Sequence, residues 1–154
     1  MRTLIATSFG LLLMAAGIRA AAAAPPDPRG YWVTGQDEAV VQVYRCGPNT
    51  LCGALVGFPI DHPGDPMPQT WNHKPQCRFV FIRDLHPRTR AWFGKIVNPQ
   101  SGHSYGAKIR LMSEDRLRLR GYFLLPMLGS TRFWSRYTGP TPPIDCRLPA
   151  HSLG

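Results

Sequence analysis

The most chemically loaded pattern in this chain is a set of cations spaced by two. Lys108 and Arg110 precede the tripeptide Ser113-Glu114-Asp115, and Arg116, Arg118 and Arg120 follow it. Residues two apart lie on one face of an extended strand. A turn at 113–115 therefore gathers all five cations on one side of one hairpin. Arg132 and Arg136 are read as sharing that parity on the next strand. Such a face suits anionic lipid headgroups, lipopolysaccharide or an acidic polysaccharide. The competing reading is a solvated outer wall.

Other reactive side chains are dispersed. His62 and His73 share one Pro-rich stretch with Asp61 and Asp65, but in no fixed metal-ligand spacing. There is no Gly-x-Ser-x-Gly elbow, and Gly129-Ser130 and Ser101-Gly102 read as turns. Asp84, Glu114 and Asp115 fall at turns without an evident partner in a cleft. No catalytic residue, metal site or cofactor is expected, and the chain is read as a binding protein rather than an enzyme. The four cysteines, Cys46, Cys52, Cys77 and Cys146, form no Cys-x-x-Cys pair and are assigned to disulfides.

That assignment needs an oxidising compartment, and the N-terminus supplies one. Arg2 precedes an apolar run over residues 4–18, and small residues at 20–24 offer cleavage sites after Ala22 or Ala23. This is the layout of a secretory signal peptide over residues 1–23, too short for a stable membrane span. The product is expected to be exported, periplasmic or secreted, with no transmembrane segment in its mature form. Of 18 basic residues, Arg2 and Arg19 leave with the leader, so 16 remain against 9 acidic ones, a net charge of +7. Nucleic acid would suit that charge, but export argues against it. Basic charge also argues against inhibition of lysozymes, which are commonly basic themselves.

The elements that must position these groups read as strands. Residues 20–28 form a flexible approach, and strands follow at 29–34, 39–46 and 51–58. Gly47-Pro48-Asn49-Thr50 is dense turn chemistry between the second and third. Four cysteines allow three pairings; this hairpin favours Cys46–Cys52, which leaves Cys77–Cys146. Residues 59–76 carry five prolines and read as a long loop. Strands resume at 77–84, 92–98, 104–112, 116–123 and 131–137, and residues 139–154 form a Pro-rich tail held only if Cys146 is bonded. In the 104–123 hairpin, Ile109 is expected opposite Leu119, Leu111 opposite Leu117, Lys108 opposite Arg120 and Arg110 opposite Arg118, with Met112 facing Arg116. The apolar face specifies that register, while the opposed cations cost a few tenths of a kcal/mol or more per pair.

Eight strands with short connections and no helical period predict an all-β, antiparallel up-and-down eight-stranded barrel, with a sandwich as the alternative. The domain is placed at residues 29–138. A small barrel can be filled or can hold one ligand. Val33, Val41, Leu55, Phe79, Phe81, Ile96, Tyr105, Ile109, Leu119 and Phe133 are candidates for the inside, and the apolar run 124–128, with Leu125, for a mouth or lid. Tyr105, Phe79, Phe81, Phe133 and Leu125 are the proposed contacts for a small amphiphilic or hydrophobic ligand.

Several spaced motifs resemble a known family. Gly30-x-Trp32, Cys46-Gly47 through Leu51-Cys52-Gly53, Gly94-x-Ile96-x-x-Pro99-x-x-Gly102-x-x-Tyr105, Leu119-Arg120-Gly121-Tyr122 and Trp134-x-Arg136 resemble the bacterial domain of unknown function 2147 family. The resemblance implies export and a lipocalin-like (calycin-type) barrel. Lipocalins commonly set an arginine of the last strand across the indole of a Gly-x-Trp on the first. That resemblance implies a structural pair between Trp32 and Arg136, a cation–π contact of about 0.5–2 kcal/mol. The tail and the Pro/His-rich loop depart from the family pattern.

Overall fold

The computed structural model describes residues 23–36 and 38–153. The expected signal peptide lies outside them except for Ala23. Eight antiparallel strands close on themselves in chain order: β1 (Gly30–Val33), β2 (Val40–Gly47), β3 (Thr50–Ile60), β4 (Val80–Arg88), β5 (Ala91–Val97), β6 (Ser104–Ser113), β7 (Arg116–Tyr122) and β8 (Gly129–Arg136), with β8 pairing back onto β1. A short β9 (Arg147–Pro149) adds in parallel to the end of β3. The fold is thus the expected up-and-down barrel with one extra strand from the tail.

Alternation explains the closure. The inward residues of β6 and β7 are Ala107, Ile109, Leu117 and Leu119, all buried. Their partners are those the apolar pattern demands: Ile109 opposite Leu119, Leu111 opposite Leu117 and Ala107 opposite Gly121. One detail differs. Ser113, not Met112, pairs with Arg116, because an irregularity after Leu111 absorbs one residue. Trp32, Val41, Leu51, Ile82, Leu85, Trp92 and Trp134 complete a filled core through the lower barrel.

The tail is held by more than a disulfide. A second apolar cluster lies apart from the barrel core: Val33, Val40, Ala54 and Val56 pack with Tyr137 and Leu148 of the C-terminal segment. Val33, expected inside, belongs to this cluster. The cluster gives the tail an apolar reason to dock. Arg147 adds hydrogen bonds to the carbonyls of Pro63 (3.1 Å) and Asp65 (3.0 Å). The disulfides are Cys46–Cys52 and Cys77–Cys146, with Cα separations of 5.8 and 5.6 Å. Loop-closure entropy makes the second worth about 4 kcal/mol against about 2 kcal/mol for the first. Two disulfides fit an oxidising, non-cytoplasmic compartment.

Three segment readings need correction. Pro59 and Ile60 extend β3 at the point where β9 joins. There the Phe58 amide donates to the Cys146 carbonyl at 2.8 Å, and Pro59 needs no donor of its own. β4 starts at Val80 rather than Cys77 and continues through Pro87 to Arg88, so the basic turn at 86–90 is mostly strand. Residues 25–28 are not a loose approach. Pro25 and Pro28 are buried, and the carbonyls of Pro26 and Pro28 accept the indole N–H groups of Trp92 (3.1 Å) and Trp32 (2.9 Å).

Candidate functional site: the barrel mouth and its basic flank

The two ends of the barrel are built differently. At the closed end the Arg136 guanidinium lies 3.8 Å from the centre of the Trp32 ring. It also donates to the carbonyls of Glu114 (2.8 Å) and Arg29 (3.1 Å). Gly30 has φ +131°, and a Cβ there would collide with the same guanidinium. The Gly-x-Trp motif therefore has a physical reason: the glycine clears the seat of the arginine that seals the barrel.

The opposite end is open. A pocket of about 480 Å³ is lined by Phe81, Ile96, Tyr105 and Leu128, with Asn98, Gln100 and Ser130 at its edge. That volume falls within the about 300–1,000 Å³ of ordinary small-molecule sites. Its shape follows from the register. Ile96 opposes Tyr105 in the outermost row. The next row is small throughout, with Gly94, Ala107, Gly121 and Ser130 side by side on four strands. Below it, Trp92, Ile109 and Leu119 form a large apolar floor. A Cβ at Gly121 would meet only Ile96, at 3.8 Å, so the glycine leaves usable space there.

Arg132 sits in that floor row, opposite Leu119, and lines the pocket. It has no hydrogen-bond or ion-pair partner among the described residues. This corrects the expectation that Arg132 and Arg136 belong to the outer basic face. Both share a face with Trp134, which is buried in the core. The alternation of Arg132, Trp134 and Arg136 against Thr131, Phe133 and Ser135 carried the signal: a buried indole fixes the parity of residues two away.

The expected ligand contacts divide. Tyr105 and Phe81 line the mouth. Phe133 does not: it pairs with Arg118 on the outer wall, is 43% exposed, and has the Arg116 guanidinium 4.5 Å above its ring. Phe79 lies in the β3–β4 connection, edge-on to Trp71 at 5.8 Å. Trp71 in turn covers Gly102, which has φ +74° and no room for a side chain, and its amide donates to the Pro99 carbonyl at 2.8 Å. The Pro-rich loop is thereby tied to the rim. Leu125 lies over the outer wall rather than the mouth.

On that outer wall the basic residues do converge. Lys108 opposes Arg120, and Arg110 opposes Arg118. The four line a pocket of about 590 Å³ together with Leu125, Pro126 and Met127 of the β7–β8 loop. Lys108 and Arg88 each lie about 5 Å from the Phe93 ring, at 5.2 and 5.1 Å. Arg116 is apart from the four, on Phe133. Strands β5 to β8 carry eight cations and no carboxylate, so nothing on these strands neutralises the quartet. His62 pairs with Asp65 at 3.5 Å on the exposed loop, and among the described residues no three His, Cys, Asp or Glu side chains converge.

A family model described as an uncharacterized protein conserved in bacteria (DUF2147) matches residues 30–136. No curated protein and no solved structure matches. The matched span begins at Gly30 and ends at Arg136, the two residues that meet at the sealed end, so it covers the barrel and leaves out the tail. From its closing glycine to its closing arginine, this chain belongs to the bacterial DUF2147 family.

Proposed function

We propose that the barrel binds rather than catalyses, in the periplasm or outside the cell, and that its mouth takes a small amphiphile with an anionic head. The observation that carries this reading is Arg132, a guanidinium without a partner among the described residues, on the inward face of strand β8 at an apolar pocket. Arg132 is itself solvent-exposed, so it meets a ligand at the rim of the pocket, where a carboxylate or phosphate can accept charge-assisted hydrogen bonds from it. Phe81, Ile96 and Leu128 would take the apolar part, and Tyr105 with Asn98 offers hydrogen bonds at the rim.

Titration with a fluorescent fatty acid such as dansyl-undecanoic acid tests it. Saturable binding is expected. A lost charge-assisted hydrogen bond is worth about 1.5–3 kcal/mol, so Arg132→Gln should weaken binding about 10- to 100-fold while leaving a neutral long-chain alcohol unaffected. Gly121→Met, which fills the small-residue row, should abolish both. Absence of saturable binding, or binding indifferent to both substitutions, overturns the reading.

A second reading is favoured by a different observation. Lys108, Arg110, Arg118 and Arg120 face one another without a carboxylate on their strands, which suits an anionic envelope component, lipid or polysaccharide, held on the outer wall.

A further inference from the structure

The connection between β7 and β8, residues 123–128, is the most exposed apolar segment described. Phe123, Leu124, Leu125, Met127 and Leu128 are 54–79% exposed. Scattered single apolar residues on a surface need no explanation, but five in one six-residue loop do. The quartet of cations lies directly beneath it.

The loop's backbone is bonded partly to itself and partly to Arg120. The amides of Phe123, Leu125 and Leu128 donate to the carbonyls of Leu128, Phe123 and Leu125, at 3.1, 2.7 and 2.9 Å. Pro126 has no amide to satisfy. The two carbonyls at the tip, Pro126 and Met127, both accept from the Arg120 guanidinium, at 3.0 Å for Met127. The same guanidinium donates to Thr131 Oγ1 at 2.8 Å. Five of the six loop carbonyls and three of its five amides thus have partners inside the protein, and the Leu124 carbonyl with the Leu124 and Met127 amides are left for water or lipid headgroups. An unpaired backbone group in hydrocarbon costs several kcal/mol, so this backbone suits shallow burial at the headgroup–acyl boundary rather than deeper insertion.

We infer that the 123–128 loop inserts into an anionic lipid bilayer, with Lys108, Arg110 and Arg118 at the level of the lipid phosphates and Arg120 holding the loop tip. The inference rests on the second reading above and deepens it, since it names lipid as the envelope component and the loop as the element that enters it. Apolar insertion beside a basic patch is a two-signal attachment, each part weak alone. Polysaccharide would use the cations but gives the apolar tip nothing to bury. Phe123 and Leu128 also line the mouth, so docking would bring the pocket to the membrane surface.

Vesicle co-sedimentation with the full mature chain tests this, using phosphatidylglycerol-containing vesicles, neutral phosphatidylcholine vesicles, and soluble polygalacturonate as the acidic polysaccharide. Binding is expected to the anionic vesicles alone and to weaken with salt. Near an anionic surface each cation is worth about 1 kcal/mol, so Arg110→Gln with Arg118→Gln should cut partitioning about 30-fold. Leu124→Asp with Met127→Asp, at positions 78% and 79% exposed, should abolish it without unfolding the barrel. Met127→Trp should report a blue-shifted emission quenched by brominated lipid. Vesicle binding that survives the loop variant, with no blue shift, overturns insertion and leaves the electrostatic reading standing. Binding to polygalacturonate but not to vesicles overturns the lipid assignment alone. Binding to neither removes both.

Discussion

Arg132 and Arg136 leave the same strand, four residues apart, and face the same way into the barrel, yet they live in opposite environments. Arg136 has three partners: the Trp32 ring and the carbonyls of Glu114 and Arg29. Arg132 has none among the described residues and stands in a pocket of about 480 Å³. The difference comes from what surrounds each. At the closed end, residues 26–29 fold across the opening and bring carbonyls to meet donors. At the open end the row is small, and Gly121 beside Ser130 leaves the space empty. One guanidinium is spent on closing the barrel and the other is left available, which is why the candidate site is placed at the mouth.

The largest effect should come from breaking the closed end. Trp32→Ala removes a fully buried indole and is expected to destabilise the protein by about 3–5 kcal/mol, read as a lowered urea midpoint. A loss below about 1 kcal/mol would mean that the seal does not hold the barrel. The sharper comparison sets the two arginines against each other. Arg136→Gln forfeits a cation–π contact and two charge-assisted hydrogen bonds, an expected loss of about 2–4 kcal/mol. Arg132→Gln forfeits no described contact and should stay within about 0.5 kcal/mol of wild type. If the two substitutions destabilise equally, the open-end arginine is structural and the contrast collapses.

The barrel was legible in the sequence because a period-two pattern leaves little freedom. Ile109 and Leu111 against Leu119 and Leu117 admit one register, and that register carried the opposed cations with it. The site was less legible, for three physical reasons. Phe133 is apolar, so burial was expected of it, but Arg116 stabilises its ring on the outside, and aromatic identity alone does not fix a face. Arg132 is charged, so exposure on the wall was expected, although the buried Trp134 two residues away dictates the inner face. The pocket owes part of its space to an absence, the side chain missing at Gly121, and a missing side chain leaves no mark in hydropathy. The tail misled for a related reason: Val40 and Val41 are both fully buried, one in each cluster, and nothing local says which element will cover the second face.

The smallest expected effect probes how firmly the closed-end carbonyls are presented. Asp27 accepts from the Arg29 side chain at 2.7 Å and from its amide at 3.0 Å, which fixes the segment whose carbonyls serve Trp92, Trp32 and Arg136. The Arg29 hydrogen bond holds the Asp27 carboxyl below its ordinary value of 3.8, against a smaller opposing push from burial. A carboxylate with a depressed folded-state pKa stabilises the fold above its unfolded pKa and loses that contribution as pH falls through the folded value. The pair is half exposed, so the contribution is on the order of a few tenths of a kcal/mol. Asp27→Asn should therefore lower the urea midpoint slightly at neutral pH, and the gap to wild type should close as pH falls from about 4 toward 2. A gap that persists unchanged to pH 2 would show that Asp27 acts through its shape rather than its charge. A large gap at neutral pH would show that the N-terminal segment, and not the Trp32–Arg136 contact, is what closes this end.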